Sequence, residues 1–313
     1  MSSFWLAFGA VFPMFCYMAL GKLISKTHYL GYDDFRLLNN AIFEFFIPCK
    51  LFISIYSSDF RSQADPGLII GILVFILLLF IALWHIVPHF MAAPSDQSVV
   101  VQGIYRSNYV LFGMLLAHNV YPDADLGVVA ALAAFLVPLY NILAVILFEG
   151  LRGEQVTVKT IITKIAQNTL VWAGVLGTFF ALTGIRLPVM LTDVIADIGD
   201  TSLLIALVCL GGMLSFNSVM HDWRLLTAVL GARLFIVPLA AIILFSLLGY
   251  RNLELITVLA AFGSPNAVAS VPMAYAMGGN GDLAGEIVAA SSAFSIISIF
   301  LFVFILRALG LIA

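Results

Sequence analysis

Long apolar runs joined by short polar connections dominate the pattern of this chain. The hydrocarbon core of a bilayer, about 30 Å thick, requires about 20 apolar residues per helix. Measured against that length, the chain divides into ten apolar segments, with predicted bounds 4–24, 35–56, 67–90, 98–118, 126–149, 157–184, 190–216, 223–249, 252–277 and 282–311. The first is interpreted as a retained helix, because Met1–Ala10 contains no basic residue of the kind that begins a signal peptide. The pattern predicts an all-α membrane protein.

Composition supports this class and excludes others. The chain of 313 residues is 63% hydrophobic and 10% charged, whereas soluble domains carry about 25% charged residues. A net charge of -3 without a basic cluster gives no reason to expect a nucleic-acid partner. The chain has no nucleophile elbow, P-loop or zinc-binding motif, and its three cysteines have no metal or disulfide spacing. We therefore expect neither an enzyme nor a cofactor.

The distribution of lysine and arginine predicts the orientation in the membrane. Connections on the cytoplasmic side of a membrane carry an excess of these residues. The basic residues after odd-numbered segments are Lys22, Lys26, Arg36, Arg152, Lys159 and Arg224. The opposite side has Arg61, Arg186, Arg251 and Arg307. We expect the odd-numbered connections to be cytoplasmic, both termini to lie outside, and the membrane to be a bacterial inner membrane.

An internal repeat is predicted from an offset of the chain against itself. A shift of 158 positions places Ser107–Asn108 on Pro265–Asn266. Because five helices are an odd number, the second half would be inserted upside down relative to the first. The prediction is a 5+5 inverted repeat, with residues 1–150 and 151–313 as its halves in one membrane domain. Such repeats place binding sites near the midplane, at discontinuous helices.

The ninth segment contains a strong helix-breaking sequence, AFGSPNAVASVPM, at Ala261–Met273. A proline inside a helix removes a hydrogen bond and clashes with the preceding turn, at a cost of about 3 kcal/mol. Pro265 and Pro272, with Ser264 and Asn266 beside the first, predict a break in this helix. The N-terminus of a half-helix carries about half a positive charge, which suits a carboxylate. The alternative is a kinked helix that serves packing alone.

The fourth segment contains a second, weaker break at Gln102–Leu115. Ser107 and Asn108 are poor helix formers in this apolar span. The Asn108 amide can satisfy a freed carbonyl and also donate to a substrate oxygen, although a hydrogen bond between helices is the alternative. Arg106 has two equal interpretations: a ligand for an anion or a side chain that extends to the membrane interface.

The second segment carries charges inside an apolar run that Pro48 is expected to bend. Charges within a membrane are costly and mark functional sites. We predict Lys50 to be the countercharge of an anionic substrate; the alternative is an ion pair with Glu44, six residues away on a different face. Glu44, Asp197 and Asp200 are candidates for proton or sodium coupling, although a solvated helix start is the simpler interpretation of the two aspartates.

Four motifs give the chain a resemblance to the auxin efflux carrier family, which includes bacterial malate and malonate carriers and the plant PIN proteins. They are IPCKLF at Ile47–Phe52, RSN followed by Gly113, FEGLRG at Phe148–Gly153 and SPNAVASVPMA at Ser264–Ala274. The resemblance extends over nearly the whole chain. The combination of the four motifs makes it specific, whereas any one of them alone would be weak.

The resemblance implies a ten-helix fold, related to bile-acid and sodium–proton carriers, in which the fourth and ninth helices cross. It implies a scaffold part and a transport part that move in an elevator mechanism. Asn108, Pro265 and Asn266 would line the crossing, and Asn141 would face the substrate. The chain departs from the plant pattern at Ser107, Asn141 and Lys50, and it lacks the long central loop. This more polar pocket favours an acid with one or two carboxylates over an indole acid.

These inferences predict a secondary transporter that moves a small organic anion, such as malate, malonate or an auxin-like acid, by alternating access. The predicted substrate-binding residues are Lys50, Arg106, Ser107, Asn108, Asn141, Ser264, Pro265 and Asn266. The predicted partners are the carboxylate and the lipid bilayer, and a homodimer is left open. The alternative function is a membrane receptor that binds a carboxylate without moving it.

Overall fold

The computed structural model describes residues 16–27, 29–57, 65–121, 124, 127–151, 169–213 and 223–312. Within these ranges the regular structure is helical, without a β-strand. We label the α-helices α1 (residues 16–25), α2 (Tyr32–Ala41), α3 (Ile47–Tyr56), α4 (Pro66–Ile86), α5 (Pro94–Tyr105), α6 (Tyr109–Val120), α7 (Gly127–Gly150), α8 (Thr169–Thr183), α9 (Val189–Met213), α10 (Trp223–Gly231), α11 (Val237–Leu247), α12 (Asn252–Gly263), α13 (Ser270–Ala276) and α14 (Gly281–Ala308).

Where they are described, the predicted apolar segments are helical apart from their ends and the interruptions reported below. Residues 4–15 of the first segment, 157–168 of the sixth and 214–216 of the seventh lie outside the described residues, as do the basic residues Arg61, Arg152 and Lys159. Among the described residues, four helices are long and apolar enough to cross a membrane: Pro66–His89, Val189–Met213, Trp223–Leu247 and Gly281–Ala308. The all-α prediction is confirmed at this level.

Large apolar side chains cover the outer faces of these helices. Ile70 and Leu78 of α4 are 59% and 62% exposed, and Phe304 of α14 is 61% exposed. Apolar faces of this extent are stable against lipid chains rather than water. The chain is therefore an integral membrane protein.

Two helices contain a π-turn immediately before a proline. The π-helical segment Ile42–Phe46 joins α2 to α3, and the segment Ala232–Ile236 joins α10 to α11. Pro48 and Pro238 follow by two residues. A proline ring clashes with the carbonyl four residues earlier, and in both helices that carbonyl lies in the wider π-turn. Pro48 is thus accommodated by a π-turn, and the helix continues through it.

Two other helical segments are interrupted completely, as predicted. The fourth segment is helical in α5, extended at Arg106 and helical again in α6. The ninth is helical in α12, non-helical over residues 264–269 and helical in α13. Residues 255–263 of α12 are all buried, so this half-helix lies in the interior of the protein.

The helices pack as two groups. In one group α2 and α3 lie against α9, and α3 also lies against α8. In the other, α12 packs on α6, α11 and α14, and α5 packs on α4, α7 and α14. α3 contacts α7 and α2 contacts α13 where the groups meet. The two broken segments belong to the second group and face the first.

Candidate functional site

The two helix breaks lie against each other and share a backbone hydrogen bond. The Asn108 N–H donates to the Pro265 carbonyl at 2.8 Å. In an unbroken helix, the Asn108 N–H and the Pro265 carbonyl would each be hydrogen-bonded within their own helix. Because the breaks free both groups, the bond between them satisfies each one. Backbone polar groups inside a membrane require such partners. The direct contact explains how both interruptions are tolerated in the interior of the protein.

A cavity of about 110 Å³ lies beside this contact, between the two helix groups. It is lined by Ile47, Lys50 and Leu51 of α3, residues 106–109 of the first break, Val137, Tyr140 and Asn141 of α7, Ser202 of α9, and residues 267–269 of the second break. One water molecule needs about 10–15 Å³ of such space. The cavity therefore has room for several waters or for a small organic molecule. Apolar walls with a few convergent polar groups are typical of ligand sites.

Arg106 is the principal charged group of the cavity. The residue is 5% exposed, which rules out the interpretation that its side chain extends to the membrane interface. One terminal nitrogen donates to the Asn141 amide oxygen at 2.9 Å, and the other approaches the Met273 sulfur at 3.2 Å. Nε is buried without a hydrogen-bond partner. No acid pairs with this guanidinium among the described residues.

Polar side chains of α7 hold the first break in place. The Asn141 amide nitrogen donates to the Val137 carbonyl at 2.9 Å, while its oxygen accepts from Arg106. The Ser107 and Tyr140 hydroxyls lie 3.1 Å apart. Asn141 and Ser107 line the cavity, and both also hydrogen-bond neighbouring protein groups.

The N-terminus of α6 opens on the cavity at Asn108. Asn108 is the N-cap residue of this 12-residue helix, and its side chain makes no capping hydrogen bond. Asn108 and Tyr109 both line the cavity. The first N–H groups of a helix and the positive end of its dipole form a favourable environment for an anion.

Lys50 lines the cavity from the opposite side and forms a salt bridge with Asp200 of α9. The alternative interpretation, an ion pair with Glu44, is wrong, because Glu44 is exposed on another face. α3 and α9 touch closely here: a Cβ atom on Gly199 would lie 2.7 Å from the Lys50 backbone nitrogen. Glycine at this position lets the two charged side chains meet.

Other predicted site residues lie outside the cavity wall. The Asn266 N–H donates to the Ser291 hydroxyl at 3.0 Å, and the Asn266 amide oxygen accepts from Ser270 at 2.8 Å. Ser264 and Pro265 are placed at the contact between the breaks, where their carbonyls accept hydrogen bonds. Glu44 and Asp197 are exposed, and neither is among the described residues that line the cavity.

Arg233 is an important residue that was not predicted from the sequence. It is fully buried in the π-turn before α11. Nε and one terminal nitrogen donate to the Ser264 carbonyl at 3.1 and 2.6 Å, and the other terminal nitrogen donates to the Ile104 carbonyl at 3.1 Å. One guanidinium thus binds the C-terminal ends of both half-helices, α5 and α12. The signal was available, since Arg233 is the one charge inside the eighth segment, apart from Arg224 at its start.

Broken helices that meet beside a small cavity, inside a bundle with membrane-length helices, are typical of membrane transport proteins. A family model described as "Membrane transport protein" matches residues 6–160 and 152–303. The matches cover most of the chain, which belongs to this family, that of the auxin efflux carriers. The resemblance inferred from the four motifs is confirmed.

Relatives with a transporter name support the same class. The protein named "Uncharacterized transporter YfdV" from Escherichia coli K12 is 25% identical over 187 residues, which are 58% of this chain and 60% of that protein. Proteins of the same name from Escherichia coli O157:H7 and Shigella flexneri match with the same values. The aligned region spans about three fifths of the length of these relatives.

Proposed function

We propose that the protein is a secondary transporter that binds a small carboxylate in the cavity beside the two helix breaks and moves it by alternating access. The observation that carries the proposal is Arg106, a buried cation on the cavity wall without an acidic partner among the described residues. Malate and malonate are the first substrates to test. The proposal includes the ten-helix inverted repeat, an elevator-type movement and a bacterial inner membrane.

The charge of Arg106 supports an anionic ligand. A buried charge without a partner of opposite sign is destabilising by several kcal/mol. The two terminal nitrogens of Arg106 contact an amide oxygen and a sulfur, both uncharged acceptors, and Nε has no hydrogen-bond partner. A carboxylate in the cavity would supply the missing negative charge and accept from the planar guanidinium.

The position of the cavity supports alternating access. Its wall combines α3 and α9 of one helix group with the two breaks and α7 of the other. A movement of one helix group against the other would therefore change the access to a bound ligand, while the ligand stays in contact with the two breaks. Proton or sodium coupling through Asp200, Asp197 or Glu44 remains part of the proposal.

Equilibrium binding to Arg106 variants tests the proposal. We expect malonate or malate to raise the melting temperature of the purified wild-type protein, because a ligand that binds the folded state stabilises it. Arg106→Gln should lose this shift, and Arg106→Lys should keep part of it because a charge remains. Arg307→Gln removes an exposed arginine at the end of α14 and should behave like wild type.

The melting temperature without ligand shows whether each variant folds. If Arg106→Gln folds and binds malonate and malate with wild-type affinity, Arg106 is not the anion ligand. If no carboxylate of a panel stabilises the wild-type protein, the proposed substrate class is wrong.

A further inference from the structure

We propose that Asp200 acts as a built-in carboxylate that determines the charge of the substrate. In this arrangement Asp200 neutralises Lys50, Arg106 alone remains for the ligand, and the site favours an anion with a single carboxylate. The inference rests on the proposed function and extends it from carboxylates in general to one charge class.

The charges of the cavity lead to this inference. Lys50 and Arg106 are the cations on its described wall, and none of the described lining residues is an acid. Lys50 forms its salt bridge with Asp200, whereas Arg106 contacts only uncharged groups. One cation is therefore compensated by the protein and one is left for the ligand. A monocarboxylate completes the balance.

The salt bridge is held by the packing of two helices. Gly199, next to Asp200, brings α9 so close to α3 that a Cβ atom would lie 2.7 Å from the Lys50 nitrogen and Cα. Both side chains thus extend from backbones with a fixed separation. Asp200 is therefore placed where it pairs with Lys50 in the structure.

The exposure of Lys50 and Asp200 determines how a second carboxylate on the ligand would interact with them. The Lys50 side chain is 33% exposed and that of Asp200 is 64% exposed. A dicarboxylate could reach Lys50 from the cavity only by displacing Asp200 or by lying beside its negative charge. Either event weakens binding of a dianion relative to a monoanion of the same size. Removal of the Asp200 charge should reverse this preference.

Malonate and malonamate form a suitable pair of probes, because they share one three-carbon skeleton and differ in one carboxylate replaced by a neutral amide. Affinities of both are measured by thermal-shift titration at neutral pH. In wild type, malonamate should bind at least as tightly as malonate. In Asp200→Asn, the ratio of the two affinities should move towards malonate by about two- to fivefold, as expected for an ion pair near water.

Two further variants make the result specific. Asp193→Asn removes another exposed acid two turns away on the same helix, and the ratio should stay at its wild-type value. In the double variant Lys50→Gln/Asp200→Asn, the shift of the affinity ratio towards malonate should disappear. The reason is that Lys50, the cation that Asp200→Asn alone would leave unpaired, is absent.

The outcomes separate this inference from the proposed function. If both anions bind but the ratio is the same in Asp200→Asn and wild type, or moves equally in Asp193→Asn, the role of Asp200 is wrong and carboxylate binding stands. If neither malonate, malonamate nor any other carboxylate binds wild type or variants, the proposed function and this inference are both overturned.

Discussion

Arg106 and Arg233 are two buried arginines on the same pair of helix breaks, with different surroundings. Arg106 faces the cavity and has a nitrogen without a partner, whereas each nitrogen of Arg233 donates to a backbone carbonyl. The first arrangement is suited to a ligand and the second to fixing the protein. Arg233 counters the negative ends of α5 and α12 together, an interaction that helix dipoles favour.

We predict that Arg233→Met destabilises the protein by about 3 kcal/mol or more, since it leaves two buried carbonyls without their charged donor. Arg233→Lys should recover part of the loss, because an ammonium keeps the charge but not the planar fork. Thermal unfolding in detergent measures both, with Arg307→Met as the exposed control. Equal melting temperatures for Arg233→Met and Arg307→Met would contradict this role.

Single residues could be predicted where their presence in an apolar run is costly. Lys50, Arg106 and Asn108 were identified on that ground, and all three line the cavity. The direction in which a side chain points was not predictable: Asn266 was placed in the right break, but its amide oxygen accepts from Ser270. The partner of Lys50 also required the structure, since Asp200 lies 150 positions away along the chain.

At the scale of helices, interruptions were predictable and distortions were not. Gly263 and Pro265 mark the end of α12 because no regular helix accommodates them at low cost. The π-turns at Ile42–Phe46 and Ala232–Ile236 leave no such mark, because neither segment contains a glycine or a proline. The association of these π-turns with Pro48 and Pro238 is visible only in the structure.

The contact between α3 and α9 leads to a prediction about glycine. Gly199→Ala should lower the stability by about 1–3 kcal/mol, the usual effect of overpacking, because its Cβ would lie 2.7 Å from the Lys50 backbone. Gly231→Ala is the matched control: nothing lies within 4 Å of its Cβ position, and alanine favours helix there. The melting temperatures of both variants test this prediction. A Gly199→Ala variant as stable as Gly231→Ala would show that α3 and α9 are not in close contact.

At the scale of the whole molecule, composition was sufficient to predict an integral membrane protein and the four motifs were sufficient for the family. The arrangement of helices into two groups was not predictable, since it depends on contacts between distant parts of the chain. The inverted repeat of residues 1–150 and 151–313 stays a prediction. The cavity lies where the groups meet, so the proposed alternating access would require movement of one group against the other.

Uptake by proteoliposomes tests the central claim most directly. Purified wild-type protein, Arg106→Gln and Arg307→Gln are reconstituted in parallel, loaded with unlabelled malonate or malate, and given the labelled acid outside. We predict saturable exchange for wild type and Arg307→Gln, and exchange at the level of protein-free liposomes for Arg106→Gln. Binding of these acids without any exchange would contradict a transporter and indicate a receptor instead.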